Sequence, residues 1–422
     1  MFIKPYFCNM KFLFDLDGTV TTKETLPIIS AHFDCKDKID ELTARTVAGN
    51  VPFIESFIRR VNILGRYSVS ETARLLGNIP LYTTLLQFIK AHSADCAIVT
   101  SNLTCWCDEL FKTIGCQCYG SEAECENDRV VKIKTILRKE DIVEQLKAQG
   151  ETVVFVGDGN NDLEAMRQAD ISIAVGLTHA PAQSLLSLCD YVIFSEQALV
   201  RQLNQLAGIY EEGKSVVLSC AGIGSRLGLG QTKALVQING SSLISWQLKF
   251  FKTVKDLRIV IGFQGAEIIE EVKQYRDDVI FVYNHRYFET KTGTSFYLGA
   301  RHANPESIQW DGDLLVHPDD ASILFTTPGE YICYSDISSE DTVYTHNDAE
   351  GNVVGFSREN GDYEWTGPAC MAKHHITYCS QNVFNMLEPY CPMRGIKVRA
   401  YDIDTYNDYL RVAEVTKDWI IR

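Results

Sequence analysis

FLFDLDGTVT, residues 12–21, places two acids at the end of an apolar run. Residues 11–17 show no alternation of polar and apolar side chains, which reads as a parallel strand covered on both faces. Asp15 and Asp17 then stand at its carboxyl end, the edge at which open α/β sheets bind ligands. Side chains two apart on a strand share a face. A bend at Gly18 lets one acid attack a phosphorus while the other protonates the leaving group. Working outward, residues 22–90 carry successive helical patterns. Strand runs return at 95–100, 152–157, 171–175 and 190–194, with helical patterns between them. The fold class is α/β: an open sheet with a helical insertion after its first strand. VGDGNND (156–162) supplies Asp158 and Asp162 behind another strand, hard oxygen ligands suited to Mg²⁺. AIVTSN (97–102) puts Thr100 or Ser101 where a hydroxyl can hold phosphoryl oxygens. Lys139 is preferred to Lys132 and Lys134 as the charge-neutralising lysine, because it opens the helix that leads to the VGDG strand.

D-x-D-G-T, an apolar run ending in Thr-Ser, a lysine and G-D-G-x-x-D, in that order, resemble the haloacid dehalogenase superfamily. GDGNNDLEAM and the early helical insertion are most similar to its phosphoserine-phosphatase-like branch. The resemblance spans about 1–210 and implies a Rossmann-like fold with a helical cap at about 22–85. It implies Asp15 as the nucleophile that becomes an aspartyl-phosphate and Asp17 as general acid/base. Thr100 and Lys139 would hold the phosphoryl group, and Asp15, Asp17, Asp158 and Asp162 would form the Mg²⁺ site. Covalent catalysis of this kind divides the hydrolysis into two steps, and the cations offset charge in each transition state. The cap closes over substrate and selects it. Glu24, Arg45, Arg59 and Arg60 are available in it for that purpose.

The second half opens on LSCAGIGSRLGLGQTKALVQING, residues 218–240. It follows a predicted strand at 215–220 and looks like a phosphate-holding loop. A dinucleotide fingerprint needs glycine at 227, where Leu227 stands, and no Gly-Lys pair makes a Walker loop. What remains is Ala221, Gly222, Gly224, Ser225, Arg226 and then Lys233: small residues that let backbone N–H groups approach phosphates, with cations for a triphosphate. This pattern resembles nucleotidyltransferases that join a phosphate monoester to a nucleoside triphosphate, over about 215–422 and with a mixed α/β fold. Thr232 stands where that family usually carries proline before the lysine. DGDLLVHPDD gives Asp311 and Asp313, and YDIDTYNDY gives Asp402 and Asp404. The resemblance assigns Mg²⁺ to Asp313 and Asp404, with Asp311 and Asp402 as neighbours. NHRYFETKTGTSFYLG is similar to the segment that meets base and ribose, with Asn284, Thr294 and Ser295 as candidates beside Gly262 and Gln264. EWTGPA (Glu364, Trp365, Gly367) resembles the acceptor-side strand, and its tryptophan could box a cationic group. DGDLL, EWTGPA and IDTYND are most similar to the choline-phosphate cytidylyltransferase-like branch. The implied co-substrate is CTP and the implied acceptor a small phosphate or phosphonate.

Further strands are predicted at 257–262, 278–283, 313–316, 330–334 and 396–403, with a hairpin turning at Gly351 and a last helix over 405–421. The boundary between halves falls near 211, after a final helix and a polar hinge, giving domains 1–210 and 211–422. A length of 422 residues suits two or three domains. A formal charge of −15 argues against nucleic acid as a partner. No apolar run is long enough to span a bilayer, and Met10 offers an alternative start. Fourteen cysteines without a secretion signal read as reduced thiols of a cytoplasmic protein. Five of them crowd between 105 and 125, but their C-x-C spacing does not match structural zinc sites. Oligomeric state is not encoded in any motif.

Overall fold

The computed structural model describes residues 9–47, 50–224, 230–338 and 342–419. The chain forms two compact units, Met1–Val200 and Arg201–Arg422. The division falls within the helix Glu196–Leu206, before the polar stretch at 211.

In the first unit the strand Met10–Phe14 lies between Cys96–Leu103 and Thr152–Gly157, parallel to both. Ile171–Val175 and Tyr191–Ile193 continue the parallel sheet. Phe12, Leu13, Phe14 and Val153–Val156 are all buried, which explains why these strands read as unbroken apolar runs: helices cover both faces. The chain leaves the first strand for one neighbour and returns later on its other side. That reversal opens a crevice beyond the strand's carboxyl end, where Asp15 and Asp17 follow.

Five helices come next: Thr25–His32, Lys36–Val47, Phe53–Leu64, Val69–Leu76 and Thr83–Ala91. The insertion has a narrow neck. Thr22 N donates to Pro80 O (2.9 Å) and Tyr82 N to Val20 O (3.1 Å), so the outgoing and returning chains run side by side. Gln117–Glu126 and Arg129–Thr135 form an antiparallel hairpin at a place where the sequence pattern predicts no strand. Its charged, largely exposed residues carry no buried face to betray it. Asn127 and Asp128 turn it with φ of 48° and 61°, the geometry of the tight hairpin turns that suit strand twist. Asp128 also accepts hydrogen bonds from Ser70 N (2.8 Å) and Ser68 Oγ (2.5 Å) at the start of Val69–Leu76. Of the crowded cysteines, Cys105 and Cys107 lie on the helix Thr104–Ile114, Cys118 and Cys125 on the hairpin. Among the described residues no candidate metal group includes a cysteine.

In the second unit Ser215–Ser219, Asp256–Ile261, Ile280–Tyr283 and Glu306–Asp311 are parallel neighbours. Tyr363–Ala372 adds antiparallel to the last of these and carries Tyr331–Ser335 and Tyr344–Asn347. The sheet is therefore mixed, as expected. The hairpin Tyr344–Asn347/Val353–Ser357 forms, with Gly351 at φ 84°. Two differences from the sequence pattern have physical causes. Glu306–Asp311 escapes prediction because polar Ser307 and Gln309 are interleaved with Ile308 and Trp310, and all four are buried. The single strand expected at 396–403 is two, because Gly395–Lys397 pairs with Tyr331–Ser335 whereas Ala400–Asp402 changes partner to Leu314–Val316. That second ladder sets Leu314 opposite Asp402, and Ile403 N donates to Asp313 O at 3.2 Å. It thereby joins two acid pairs distant in sequence.

Candidate functional site

Each unit gathers its acids at a strand end. In the first, Lys139 begins the helix Lys139–Ala148 and is 2% exposed. Its Nζ donates to Asp15 Oδ1 (2.5 Å) and Asp162 Oδ1 (2.6 Å). Lys132 and Lys134 are exposed on the hairpin. The other oxygen of Asp162 accepts the backbone N–H groups of Asp158 (3.1 Å) and Gly159 (2.9 Å), so Asp162 orients the loop as well as the lysine. Thr19 Oγ1 donates to Asp158 Oδ1 at 3.3 Å. Gly18 has φ 69°, and a Cβ there would stand 2.6 Å from Asp158 Oδ2; only glycine makes this bend beside that acid.

Asp15, Asp158 and Asp162 each offer a carboxylate oxygen, all within 4.8 Å of one another. Burial and the neighbouring Asp162 push the Asp15 carboxyl upward, while Lys139 opposes them. Lys139 reaches two of these buried carboxylates, Asp15 and Asp162, and not Asp158. Hard oxygen donors gathered in this way suit a divalent ion such as Mg²⁺.

Asp17 faces elsewhere. Its Oδ1 accepts Thr25 N (2.7 Å) and its Oδ2 accepts Asn102 Nδ2 (2.6 Å). Burial and the charge of Glu24 raise it to about 6, against those hydrogen bonds. The two strand-end acids are therefore separated by environment. Thr100 is buried, and its Oγ1 accepts Asn102 N at 3.2 Å.

Two residues, Asn102 and His179, come to this site without having been named from the sequence, and a third, Arg60, is one of the cap candidates. Asn102 holds Asp17. Arg60 is buried on the inserted helices, within electrostatic reach of Asp17 and Glu24. His179 Nε2 lies 3.0 Å from Asp158 Oδ2 and 3.1 Å from Glu24 Oε1, and its Nδ1 lies 3.1 Å from Ala180 O. Acceptors face both ring nitrogens, so the ring is an imidazolium, and the two carboxylate contacts raise it to about 11. The one sequence signal for His179 is its position just past the strand Ile171–Val175, on the same sheet edge as the acids.

The second unit encloses a cavity of about 430 Å³. Gly222, Gly224 and Lys233 line it together with Asp311, Asp313, Asp402 and Asp404. Lys233 Nζ donates to Asp313 Oδ2 (2.8 Å) and to Asp404 Oδ1. Both acids thus converge on one positive charge, as a metal pair would. Asp311 is half-buried; Gln309 Nε2 donates to its Oδ1 at 2.7 Å. Burial and Asp313 raise Asp311 to about 7, and Asp402 is pushed well above the usual range by burial, Asp313 and Asp311. Gly367 has φ 104°, and a Cβ there would reach 2.5 Å from Asp311 Oδ2.

Ala221, Asn284, Ser295, Glu364 and Trp365 also line this cavity. Asn284 Nδ2 donates to Ser295 Oγ (3.2 Å). Thr294 and Gln264 sit behind the wall instead. Thr294 Oγ1 donates to Cys379 O (2.9 Å), and Gln264 Oε1 accepts Thr232 N (2.7 Å). Ser225 and Arg226 lie outside the described residues. Among the described residues no helix is long and apolar enough to cross a membrane.

Two family models match the chain: a haloacid dehalogenase-like hydrolase over residues 12–170 and a MobA-like NTP transferase domain over 215–358. The phosphoserine phosphatase of Archaeoglobus fulgidus is 29% identical over 175 residues, 38% of this chain and 51% of the relative. The chain thus spans about half of that relative's length. Among solved structures, the CTP:phosphocholine cytidylyltransferase of Streptococcus pneumoniae is 19% identical, with a TM-score of 0.39 over 48% of this chain and 99% of that one. The inositol-1-phosphate CTP transferase of T. maritima is 16% identical, with a TM-score of 0.43 over 50% and 99%.

Proposed function

We propose that this chain, which joins a haloacid dehalogenase-like hydrolase domain to a MobA-like NTP transferase domain, runs two phosphate chemistries. The second domain transfers CMP from CTP to a small phosphate or phosphonate and releases pyrophosphate. The first hydrolyses a phosphomonoester. The observation that carries the reading is the second unit's cavity, in which Lys233 and four acids from two distant segments meet the small residues Gly222 and Gly224. CTP rests on the resemblance of DGDLL, EWTGPA and IDTYND to the cytidylyltransferase-like branch.

In the transferase, Gly222, Gly224 and Lys233 bind and orient the triphosphate so that an acceptor phosphate oxygen stands in line with the α-phosphorus. Positioning and charge stabilisation supply the rate. Mg²⁺ held by Asp313 and Asp404 would neutralise the charge that develops on the phosphates. Arg226 belongs to the same loop and is assigned to the leaving pyrophosphate. In the phosphatase, Asp15 attacks phosphorus and forms an aspartyl-phosphate. Asp17 protonates the leaving oxygen and then takes a proton from the attacking water. Lys139 and Thr100 hold the phosphoryl oxygens. Mg²⁺ at Asp15 and Asp158 would offset their negative charge. Arg60 and Glu24 place one cation and one anion near the leaving group. Such a pair suits a phosphorylated amino acid, in keeping with the phosphoserine phosphatase relative.

Two assays test these readings. With Mg²⁺, pyrophosphate release is measured for each of four NTPs against a panel of phosphates and phosphonates. Turnover with CTP is expected; turnover with UTP or GTP on sugar 1-phosphates alone overturns the assignment. Phosphate release from O-phosphoserine is expected to vanish in Asp15→Asn, and unchanged release sinks the nucleophile.

A further inference from the structure

The cavity of the second unit is lined by groups of different chemistry. Gly367 abuts Asp311. Three residues back along the same strand, about 10 Å at the usual strand rise, stands Glu364. It is 4% exposed, and its Oε2 accepts Ser338 N at 2.7 Å. Trp365 and Phe384 line the same cavity. Arg358, exposed, also lines the cavity, with its guanidinium carbon 5.5 Å from the centre of the Phe384 ring. Exposed Lys291 lines it too.

A buried carboxylate, two aromatic rings and a guanidinium form a selective set. A quaternary amine would use the rings and the carboxylate and gain nothing from Arg358. A polyol would hydrogen-bond to these groups but bring no charge of its own to pair with theirs. A head group carrying both an ammonium and a carboxylate uses all of them, with the ammonium at Glu364 and the carboxylate in the fork of Arg358.

We propose that the acceptor is a phosphorylated or phosphono amino acid, held by Glu364, Trp365 and Arg358. This rests on the CMP-transfer reading of the same cavity. The step balances without a redox partner. An oxygen of the acceptor's phosphate dianion bonds to the α-phosphorus, the bond from that phosphorus to the β-bridging oxygen breaks, and the electron pair leaves with pyrophosphate. In the first unit Glu24 and Arg60 both lie within electrostatic reach of Asp17, the same charge pairing. Both halves are thus fitted to one class of molecule: where the acceptor is a phosphate ester, one removes the phosphate that the other activates.

The test uses the full chain carrying Asp15→Asn, so that the first unit cannot consume an acceptor, with CTP and Mg²⁺, and measures pyrophosphate. Acceptors are O-phospho-L-serine, its phosphonate analogue 2-amino-3-phosphonopropionate, phosphoethanolamine, phosphocholine and glycerol 3-phosphate. The two amino acid acceptors are expected to show the highest kcat/KM. Arg358→Gln should lower it at least tenfold for them and less than twofold for phosphoethanolamine. Glu364→Gln should weaken every amine-bearing acceptor and spare glycerol 3-phosphate. Preference for phosphocholine or glycerol 3-phosphate, or an Arg358→Gln enzyme equally active on the amino acids, overturns the proposal while leaving CMP transfer standing. No pyrophosphate from any acceptor with CTP overturns CMP transfer and the proposal with it.

Discussion

Asp311 is held in the second cavity at a cost. Its carboxyl is raised to about 7 by burial and by Asp313. For an acid raised in the folded state, stability is greatest below the unfolded value and falls as pH climbs through the folded one. The protein should therefore lose stability between about pH 4 and pH 7 through this group. Asp311→Asn should flatten that slope. The distance from 3.8 to about 7, at roughly 1.4 kcal/mol per unit, caps the gain at pH 8 near 4 kcal/mol. Urea denaturation in EDTA at pH 5 and pH 8 measures it; equal stabilities of both proteins at both values would refute the assignment. Lys139 works in the opposite sense. Asp15 and Asp162 raise it despite its burial, so its contribution is present below the ordinary lysine value and lost only in strong alkali. Lys139→Met should cost about 3–5 kcal/mol, because two buried carboxylates lose their counter-ion, and should also abolish phosphate release. At this scale the sequence was informative wherever chemistry demands a residue type in order along the chain: Asp15, Asp158, Lys139, Lys233. Asn102 and His179 escaped because an amide and an imidazole in isolation carry no pattern, and Arg60 was legible only as one of several cap candidates. Only the fold shows what each one touches.

Among the elements, the phosphate loop raises the sharpest question, since Thr232 precedes Lys233 where proline is usual. Thr232 has φ −61°, which proline would accept, but its amide donates to Gln264 Oε1 at 2.7 Å. Gln264 is itself held at φ 52° ahead of the helix Gly265–Lys273. An amide hydrogen bond thus anchors the loop where a ring would stiffen it. Thr232→Pro should keep the local backbone, strand the Gln264 oxygen and destabilise by about 1–3 kcal/mol. Thr232→Ala should leave the anchor intact. Thermal denaturation of both variants decides between them, and a proline variant as stable as wild type removes the role given to Gln264. The hairpin makes a second claim: Asp128→Ala should speed hydrogen exchange in Val69–Leu76, whose first turn it holds. The parallel strands were legible because burial on two faces leaves an unbroken apolar signature. The exposed hairpin and the polar-interleaved strand Glu306–Asp311 were not, because their positions are set by partners far along the chain.

On the scale of the whole molecule, two active units predict two separable losses. Asp15→Asn should end phosphate release and leave pyrophosphate release at its wild-type rate. Lys233→Ala should do the reverse, by at least a hundredfold, as expected when a group that stabilises transition-state charge is removed. A single loss that silences both activities would show that one site serves both. The net charge of −15 opposes compaction, so moderate salt should raise the melting temperature by screening it. The α/β class of both halves was legible throughout, and what selects substrate was not, because selection is made by side chains from separate segments.

The narrow neck at Val20–Thr22 and Pro80–Tyr82 has a consequence for how such a protein changes over generations. Because the inserted helices leave and rejoin the sheet at adjoining points, they form a cassette. A different cassette could be exchanged at that neck without altering a single strand register or moving Asp15. The part that recognises a substrate can therefore be replaced while Asp15, Asp158 and Lys139 are inherited unchanged, provided the new part again offers Asp17 the backbone N–H that Thr25 gives it.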